Sequence, residues 1–376
     1  MYLDILCKNI NNCRMKIGII THYDVHNHGA VLQMNALIKV LRKKFMINAC
    51  ALKFDKNYDF LGRELKAKYE ISLKSILIYI KFLLNRGPNA FLFNVRKKYL
   101  LERFKNREKL IGDYYTDYQS LDAVIVGSDE VFALHTGITP VFFGHALPTE
   151  NVFSYAGSFG PTNLEDISKL HCKSLVASGL SSMKGLSMRD KNSIEVTKVL
   201  TGRVPKLVVD PVILYGYDEE LANLKPPKLQ KYLLVYAYET RMNDPKETKK
   251  IVEYAHSHGL KVVCPGFYHA WADININTDP IDLLRYFKFA YCVVTDTFHG
   301  SVISIITGRE LAVKLRDNSN KLLNLLKEYG LTDRVIGEDW NLESIFTKKQ
   351  NNKFIANEVV RRRAESMTYL KEMIEL

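Results

Sequence analysis

The sequence predicts an α/β protein made of two Rossmann-like domains with a cleft between them. Short apolar runs of strand length alternate with helical patterns along most of the chain, and the alternation falls into two series separated by a stretch that contains a Pro-Pro pair. Strands that alternate with helices are typical of a parallel sheet covered on both faces. A chain of 376 residues, 47% hydrophobic and 25% charged, is long enough for two such domains.

The first series occupies residues 15–211 and predicts the N-terminal domain. In chain order it contains the strand "KIGIIT", a helix that ends near Lys44, the strands "NACALKF" and "DAVIVGSD", the run "NVFSYAGSFG", one helix over about 163–177, the strand "GLSMRD", a further helix and the strand "KLVVDP". A basic helical insertion at about 60–110 interrupts this series. Residues 1–14 lack the pattern of a signal peptide, and we expect a disordered extension or a misplaced start there.

The second series occupies residues 231–345 and predicts the C-terminal domain. It contains the strand "YLLVYAY", a helix near 245–258, the strand "LKVVCP", a helix near 280–289, the strand "YCVVTD", a helix that follows His299, the strand "ELAVKL" and a helix near 320–329. Residues 212–230 are predicted to link the domains, and a helix over 350–376 is expected to pack back on the first domain. Two Rossmann-like domains that face a cleft form a GT-B-like architecture.

Charge and cysteine content indicate where the protein works. The formal net charge is +12, and residues 63–109 hold thirteen Lys or Arg against four Glu, a local net charge of +9. No apolar run reaches the length of a membrane span. Six scattered cysteines without a CxxC pair fit a reducing cytosol and no zinc site. We therefore expect a cytoplasmic protein that needs no metal and does not bind nucleic acid, because no recognition motif is present.

The basic segment allows two interpretations. Lys74 and Lys81 interrupt an apolar run, so the helix could lie on an anionic membrane with its lysines reaching toward the headgroups. On this interpretation the membrane-facing cations include Arg96, Lys97 and Lys98. The alternative is a helical hairpin packed on its own domain with a solvated basic face. A peripheral position at the inner face of the cytoplasmic membrane follows only from the first.

Five strand ends carry small or polar residues that core packing does not require. They are His28-Gly29, Gly127-Ser128-Asp129, the run from Ser154 to Gly160, Ser187-Met188-Arg189-Asp190, and the run from Asp296 to Ser301. Ligands of open α/β sheets bind beyond the carboxyl ends of the strands. Each feature alone is also explained by a helix cap, a tight turn or a surface salt bridge. Their combination is what predicts a site.

His299 stands out within this set. It is expected at the N-terminus of a helix, where the helix dipole disfavours the imidazolium. A neutral imidazole can accept a proton from a hydroxyl near neutral pH. The free N–H groups of Gly300 and Ser301 would present a site for an anion such as phosphate. The turn thus places a proton acceptor beside a phosphate, unless His299 only caps its own helix.

The order of the motifs resembles the polysaccharide pyruvyl transferase family from Lys16 to about Val335. The matching blocks are "NHGAVLQMNAL", "DAVIVGSDEVF", "SYAGSFG", "LSMRDKNSIEV", "VVDPVIL" and "VTDTFHGSVISI". The Phe-His-Gly element is the most specific of them. The chain departs from the family at four positions, which leaves the acceptor sugar in doubt more than the activity: Glu130, Phe132, Asp190 and Lys321.

The resemblance implies transfer of a pyruvyl group from phosphoenolpyruvate to two hydroxyls of one hexose of a capsule or other surface polysaccharide, or of its polyprenyl-diphosphate-linked precursor. The product is a cyclic pyruvate ketal, phosphate is released, and phosphoenolpyruvate is a co-substrate, so no cofactor is expected. His299 would be the general acid or base, Asp296 would orient His299 or the loop, and Arg189 would bind the donor carboxylate or phosphate. The remaining expected contacts are Gly300, Ser301, Lys314, Arg316 and Lys321 for phosphate, and Asp129, Ser158, Gly29 and Gln33 for the acceptor.

Two other functions remain open at this stage. A nucleotide-sugar glycosyltransferase would share the cleft, but it should show an acidic residue placed for a ribose, and Glu310, which opens a strand, is the nearest candidate. A non-catalytic sugar-binding scaffold of a capsule-assembly complex would need neither a poised base nor a paired cation. The presence of both Arg189 and His299 favours an enzyme.

Overall fold

The computed structural model describes residues 15–54, 73–316 and 320–375, so the prediction for residues 1–14 lies outside the described residues. The strands are β1 (Lys16–Ile20), β2 (Asn48–Lys53), β3 (Ile111–Tyr114), β4 (Ala123–Val126), β5 (Val152–Ser154), β6 (Ser187–Met188), β7 (Lys206–Leu207), β8 (Tyr232–Tyr236), β9 (Lys261–Pro265), β10 (Ile274–Ile276), β11 (Cys292–Thr295) and β12 (Leu311–Val313). The helices are α1 (His28–Lys44), α2 (Leu73–Arg107), α3 (Leu164–Lys169), α4 (Lys173–Ser182), α5 (Lys191–Thr201), α6 (Pro211–Tyr215), α7 (Asp218–Asn223), α8 (Pro245–Ser257), α9 (Pro280–Phe289), α10 (Phe298–Thr307), α11 (Asn320–Glu328), α12 (Leu342–Thr347) and α13 (Asn352–Ile374).

The strands form two five-stranded parallel sheets with the same order. The first is β3-β2-β1-β4-β5 and the second is β10-β9-β8-β11-β12. Their central strands β4, β8 and β11 are buried along their whole length, as expected for Val- and Ile-rich strands covered by helices on both faces. The short β6-β7 pair extends the first sheet through a bridge between Phe153 and Gly185. The predicted α/β class with two Rossmann-like units is confirmed.

Three local predictions need correction. The single helix expected over about 163–177 is two helices, α3 and α4, because the chain turns at His171, where φ is +52°. The segment predicted as the linker, 212–230, holds helices that were not predicted: most of α6, which is buried in the core, and all of α7. The edge strands β3 and β10 were not predicted, since each is only partly buried and lacks the apolar run of a central strand.

The last helix returns to the first sheet. The Tyr369 hydroxyl donates a hydrogen bond to the Ser154 carbonyl oxygen over 2.9 Å, and the Ser366 hydroxyl oxygen accepts one from the Val209 amide over 3.0 Å. Both side chains are buried. Helix α13 therefore closes over the end of β5 and the segment that enters α6.

The basic helix α2 packs against the second half of the chain. Its helical conformation breaks at Gly87, where φ is +80°, with Pro88 directly after it. Beyond the break, Phe93 packs on Tyr268, and the Lys97 ammonium lies 3.9 Å from the centre of the Phe267 ring. The expectation that Lys97 faces solvent or a membrane is wrong, since only 6% of it is exposed. No helix in the described part of the chain is long and apolar enough to cross a membrane.

The burial of Lys97 predicts a pH-dependent stability. Burial lowers its pKa from 10.5 to about 8, so the unfolded chain binds an extra proton between these values and the native state is disfavoured below them. The difference corresponds to about 3 kcal/mol at about 1.4 kcal/mol per pKa unit. Lys97→Met keeps the apolar stem and removes the charge. We expect its gain in unfolding free energy over the wild type, measured in urea, to be largest below pH 8 and to vanish toward pH 10.5. An equal gain at every pH would contradict the argument.

Candidate active site

A polar cavity of about 340 Å³ opens where the central strands of both sheets end. It is lined by Asn27, Asp129, Glu130, His135, Pro161, Tyr238, Arg241, Asp296, Thr297, Phe298, His299, Lys321 and Leu322. Pro161 follows β5, and Lys321 and Leu322 follow β12, while the other lining residues follow β1 and β4 in the first sheet and β8 and β11 in the second. In each sheet those two strands lie at the switch point, where the chain reverses its direction of winding and ligands of such folds bind. The cavity therefore joins two equivalent ligand-binding edges.

The wall from the first sheet is built by the turn after β4. A side chain at Gly127 would lie 2.2 Å from the Tyr155 carbonyl oxygen, and φ is +127° there, so glycine is required. The Ser128 hydroxyl donates to the Gln33 Oε1 over 2.6 Å and fixes the turn. The turn presents Asp129, whose φ is +83°, to the cavity. Gln33, predicted to contact the acceptor, instead supports this turn from a buried position.

Arg189 lies beneath the cavity between two carboxylates. One terminal nitrogen donates to Asp129 over 2.7 Å and the other to Asp210 over 3.0 Å, and the side chain is 1% exposed. Burial by itself would raise the pKa of Asp129, but the positive charges around it, led by Arg189 and including Lys321, together lower that pKa below the usual range. The guanidinium carbon lies 4.6 Å from the Phe298 ring centre. Arg189, predicted to clamp the donor, thus neutralises Asp129 and Asp210 and does not line the cavity.

His299 stands in the first turn of α10, between the two halves of the chain. Its ring packs on Gly29, the second residue of α1, and its Nε2 lies 3.8 Å from an Asp210 carboxylate oxygen. That Nε2 is buried and has no hydrogen-bond partner. Burial lowers the pKa of His299, while the Asp210 charge opposes this and raises it. The imidazole is therefore neutral at pH 7, next to a carboxylate that can stabilise the imidazolium formed on proton uptake.

The contact between Gly29 and His299 gives a sharp prediction. A Cβ at Gly29 would lie 2.4 Å from the His299 Cγ, the ring atom that is bonded to the side-chain Cβ. The imidazole would therefore have to move. Gly29 is in a helix, where alanine is otherwise favoured. We expect Gly29→Ala to lower kcat about a hundredfold with little loss of secondary structure, measured by steady-state kinetics and circular dichroism. Wild-type kcat in this variant would show that the ring position does not matter.

The amide groups of Gly300 and Ser301, in the first turn of α10, are not free. Thr297 caps the helix, and its hydroxyl oxygen accepts a hydrogen bond from the Gly300 amide over 2.9 Å. The Ser301 amide donates to the Thr297 carbonyl oxygen over 3.2 Å, and its hydroxyl donates to the same oxygen. The expectation that Gly300 and Ser301 offer free N–H groups to phosphate is therefore wrong, because the capping threonine uses them.

Three other predicted residues lie in the second half, where Asp296 and Arg316 form a charged group and Lys314 pairs separately. Asp296 lines the cavity and accepts from the Arg316 Nε over 3.1 Å, and Arg316 also binds both carboxylate oxygens of Glu247. Burial raises the pKa of Asp296, and its Oδ1 has no partner. Lys314 binds Glu338 over 2.9 Å, outside the cavity lining. Arg316 is thus committed to two carboxylates, and no hydrogen bond or ion pair joins Asp296 to His299 within the described part of the chain.

Of the last two predicted residues, Lys321 lines the cavity and Ser158 does not. Lys321 reaches into the cavity from α11 and forms an ion pair with Glu130, which bridges the two halves. Burial would raise the pKa of Glu130, but the charge of Lys321, its hydrogen bond and the charge of Arg189 together lower it. Ser158, predicted to meet the acceptor, is fully buried and donates to Asp190 over 2.7 Å. It holds the loop after β5 and does not line the cavity.

Sequence reasoning missed four residues of the site. Asn27 caps α1 and donates to the Tyr238 hydroxyl oxygen over 3.2 Å across the cavity. Asp210 joins Arg189 to His299 from below. Arg241 lines the cavity, with its guanidinium carbon 5.1 Å from the Tyr238 ring centre, and forms no ion pair with any described residue. Tyr238 and Arg241 follow strand β8, so the rule used for the other strand ends would have found them.

One side-chain group outside the cavity has metal-ligand chemistry. Atoms of Asp24, His26 and Glu102 lie within 4.8 Å of one another. His26 contacts Glu102 over 3.1 Å, and the Lys105 ammonium contacts the same carboxylate oxygen over 2.7 Å. Lys105 already neutralises Glu102, so this group is explained by ion pairing.

Comparison with known proteins gives a family and a fold. A family model described as polysaccharide pyruvyl transferase matches residues 27–313, more than half of the chain. A putative UDP-N-acetylglucosamine 2-epimerase from Listeria monocytogenes has a similar structure, with 12% identity, a TM-score of 0.51 and coverage of 96% of this chain and 98% of that one. A further UDP-N-acetylglucosamine 2-epimerase structure has 11% identity, a TM-score of 0.51 and coverage of 96% of both chains.

An E. coli structure described as trehalose-6-phosphate bound with UDP-2-fluoro glucose is also similar, with 11% identity, a TM-score of 0.50 and coverage of 96% of this chain and 99% of that one. At such identities the likeness shows the fold alone, and it confirms the predicted GT-B-like architecture. A comparison with curated proteins gave no match.

Proposed function

This chain belongs to the polysaccharide pyruvyl transferase family, and from that premise we propose that it transfers a pyruvyl group from phosphoenolpyruvate to two hydroxyls of one hexose. The acceptor is a surface polysaccharide or its polyprenyl-diphosphate-linked precursor, and the reaction takes place on the cytoplasmic side. The observation that carries the proposal is a neutral, buried His299 at the wall of a polar cavity, with Asp210 behind it. No cofactor takes part.

The reaction proceeds in two steps, an addition to phosphoenolpyruvate and a displacement of phosphate. In the first, His299 takes the proton from a sugar hydroxyl and the hydroxyl oxygen bonds to the second carbon of phosphoenolpyruvate. The imidazolium so formed gives that proton to the methylene carbon, which becomes a methyl group as the carbon–carbon double bond is lost. In the second, phosphate leaves from the tetrahedral intermediate and the other hydroxyl bonds to the resulting oxocarbenium-like carbon. The proton of this second hydroxyl passes, directly or through His299, to the departing phosphate. A base near its working pH and a cation for the departing phosphate are what these steps need.

Arg241 is the cation that fits the donor. Arg189, Arg316 and Lys321 each bind carboxylates of the protein, whereas Arg241 faces the cavity without an ion pair to any described residue. A guanidinium matches the geometry of a carboxylate or phosphate. We assign Arg241 to the donor, and the opposite rim around Asn27, Asp129 and Glu130 to the acceptor. Glu310, the residue considered for a ribose, is bound to Arg334 over 3.3 Å and does not line the cavity, so it does not support the glycosyltransferase alternative.

The test is an assay of phosphate release with phosphoenolpyruvate and a panel of hexosides and lipid-linked oligosaccharides, combined with mass measurement of the acceptor. We expect release that depends on the acceptor, and an acceptor that gains the mass of a pyruvate ketal. Release without an acceptor product, or turnover of nucleotide sugars instead, would overturn the proposal. An acceptor that gains an enolpyruvyl ether would show that the reaction stops after the first addition and elimination.

Arg241→Met should raise the KM for phosphoenolpyruvate at least about tenfold, since a hydrogen bond to a charged group contributes roughly 1.5–3 kcal/mol. The matched control is Arg361→Met, which removes another exposed arginine in α13. We expect that control to keep the wild-type KM. A KM for phosphoenolpyruvate that is unchanged in Arg241→Met would remove Arg241 from the donor site.

A further inference from the structure

The outer face of α2 carries an exposed apolar stripe. Leu92, Val95 and Tyr99 are 63%, 53% and 60% exposed. They are three and four residues apart, so they share one side of the helix. The inner side holds Phe93, Lys97 and Phe104, which are buried. A helix whose inner face already packs on the protein has no need of a second apolar face, so this stripe points to a partner.

Cations flank the stripe. Arg96, Lys98 and Arg103 are exposed and form no ion pair with any residue in the described ranges. They belong to the segment with a net charge of +9 over residues 63–109. Apolar residues on one strip of a helix with Lys and Arg beside them are typical of a helix that lies in a membrane interface.

We propose that this stripe docks the protein on an anionic phospholipid surface. Leu92, Val95 and Tyr99 would enter the headgroup region, and the three flanking cations would bind lipid phosphates. A second copy of the chain fits the surface poorly, because a symmetric contact through the stripe would bring the same cations face to face. The unbalanced positive charge favours an anionic surface as the occupant.

The stripe and the cavity lie on opposite sides of α2. On the inner side of α2, Lys97 lies over the Phe267 ring, and Phe267 packs on Tyr238 with 5.3 Å between the ring centres. Tyr238 lines the cavity. Docking through α2 therefore keeps the cavity close to the lipid surface, where a polyprenyl-linked sugar would be presented. This use of the docking rests on the proposed function, although the docking itself does not.

The test measures binding of the whole chain to vesicles of phosphatidylglycerol and phosphatidylcholine by cosedimentation. One variant replaces Leu92, Val95 and Tyr99 with Ser, and a second replaces Arg96, Lys98 and Arg103 with Gln. Since each basic residue near such a surface contributes roughly fivefold to affinity, we expect both variants to bind at least about tenfold more weakly. Vesicles of phosphatidylcholine alone should bind the wild type weakly.

The matched control replaces Val199, Val204 and Val360 with Ser, which are 61%, 70% and 66% exposed outside α2. This control should bind vesicles like the wild type, and all variants should keep wild-type thermal unfolding and phosphate release with a soluble acceptor. If the wild type does not bind anionic vesicles, or if the variants bind them as well as the wild type does, the docking proposal is overturned. Neither result bears on the proposed pyruvyl transfer. A dimer that light scattering detects only when the stripe is intact would assign the stripe to a second copy and also overturn the docking proposal.

Discussion

Replacing His299 with Ala should lower kcat about a hundred- to ten-thousandfold, the range that a positioned acid or base contributes. His299 is the titratable side chain that both lines the cavity and has a buried ring nitrogen without a partner. His299→Gln keeps much of the bulk against Gly29 and should lose as much activity, because an amide cannot carry the proton. His256→Ala, on the exposed pair with Asp273, is the matched control and should retain wild-type kcat. Substantial activity in both His299 variants would remove it from the reaction.

The same histidine predicts a pH profile. Burial lowers its pKa below 6.5, so a neutral base is present at pH 7 and is lost only as the pH falls through that lowered value. The acidic limb of kcat/KM should therefore lie below pH 6.5. Asp210→Asn removes the charge that raises this pKa and should move the limb to lower pH. A limb that stays in place would mean that Asp210 does not act through His299.

Replacing Arg189 with Met should cost about 3–5 kcal/mol of unfolding free energy, because it leaves Asp129 and Asp210 without their shared cation in a buried site. This is a large fraction of the roughly 5–15 kcal/mol that holds a typical protein folded. The measurement is urea unfolding. The matched control, Arg361→Met, breaks exposed ion pairs with Glu358 and Glu365 and should cost less than about 1 kcal/mol.

Asp210→Asn keeps the prediction testable if Arg189→Met does not fold. In that variant Asp129 still neutralises Arg189, so we expect a smaller loss of about 1–3 kcal/mol. A cost for Arg189→Met no larger than that of Arg361→Met would show that the guanidinium is not the centre of this cluster. If Arg189→Met keeps the wild-type unfolding free energy and raises the KM for phosphoenolpyruvate, Arg189 belongs to the donor site after all.

The exchange of roles between Arg189 and Arg241 shows where sequence reasoning ended. Both arginines follow strand ends, and a guanidinium at such an end fits a phosphate equally well in either place. The two arginines differ in whether carboxylate side chains of the protein pair with them. Asp129, 60 residues away in the chain, and Asp210, 21 residues away, both meet Arg189. Arg241 forms no ion pair with any carboxylate of the described residues. Only the folded arrangement reveals this difference.

The sequence by itself determined the alternation of strands and helices, the two-sheet fold and the turns that carry Asp129, Asp296 and His299. These follow from local periodicity and from the residues a tight turn requires, which are properties of short stretches. Only the tertiary structure decided that Lys97 is buried on Phe267 and that Asp210 joins Arg189 to His299. The pairing of charges and the exposure of a side chain depend on segments that meet in space from distant parts of the chain, and no local pattern encodes that meeting.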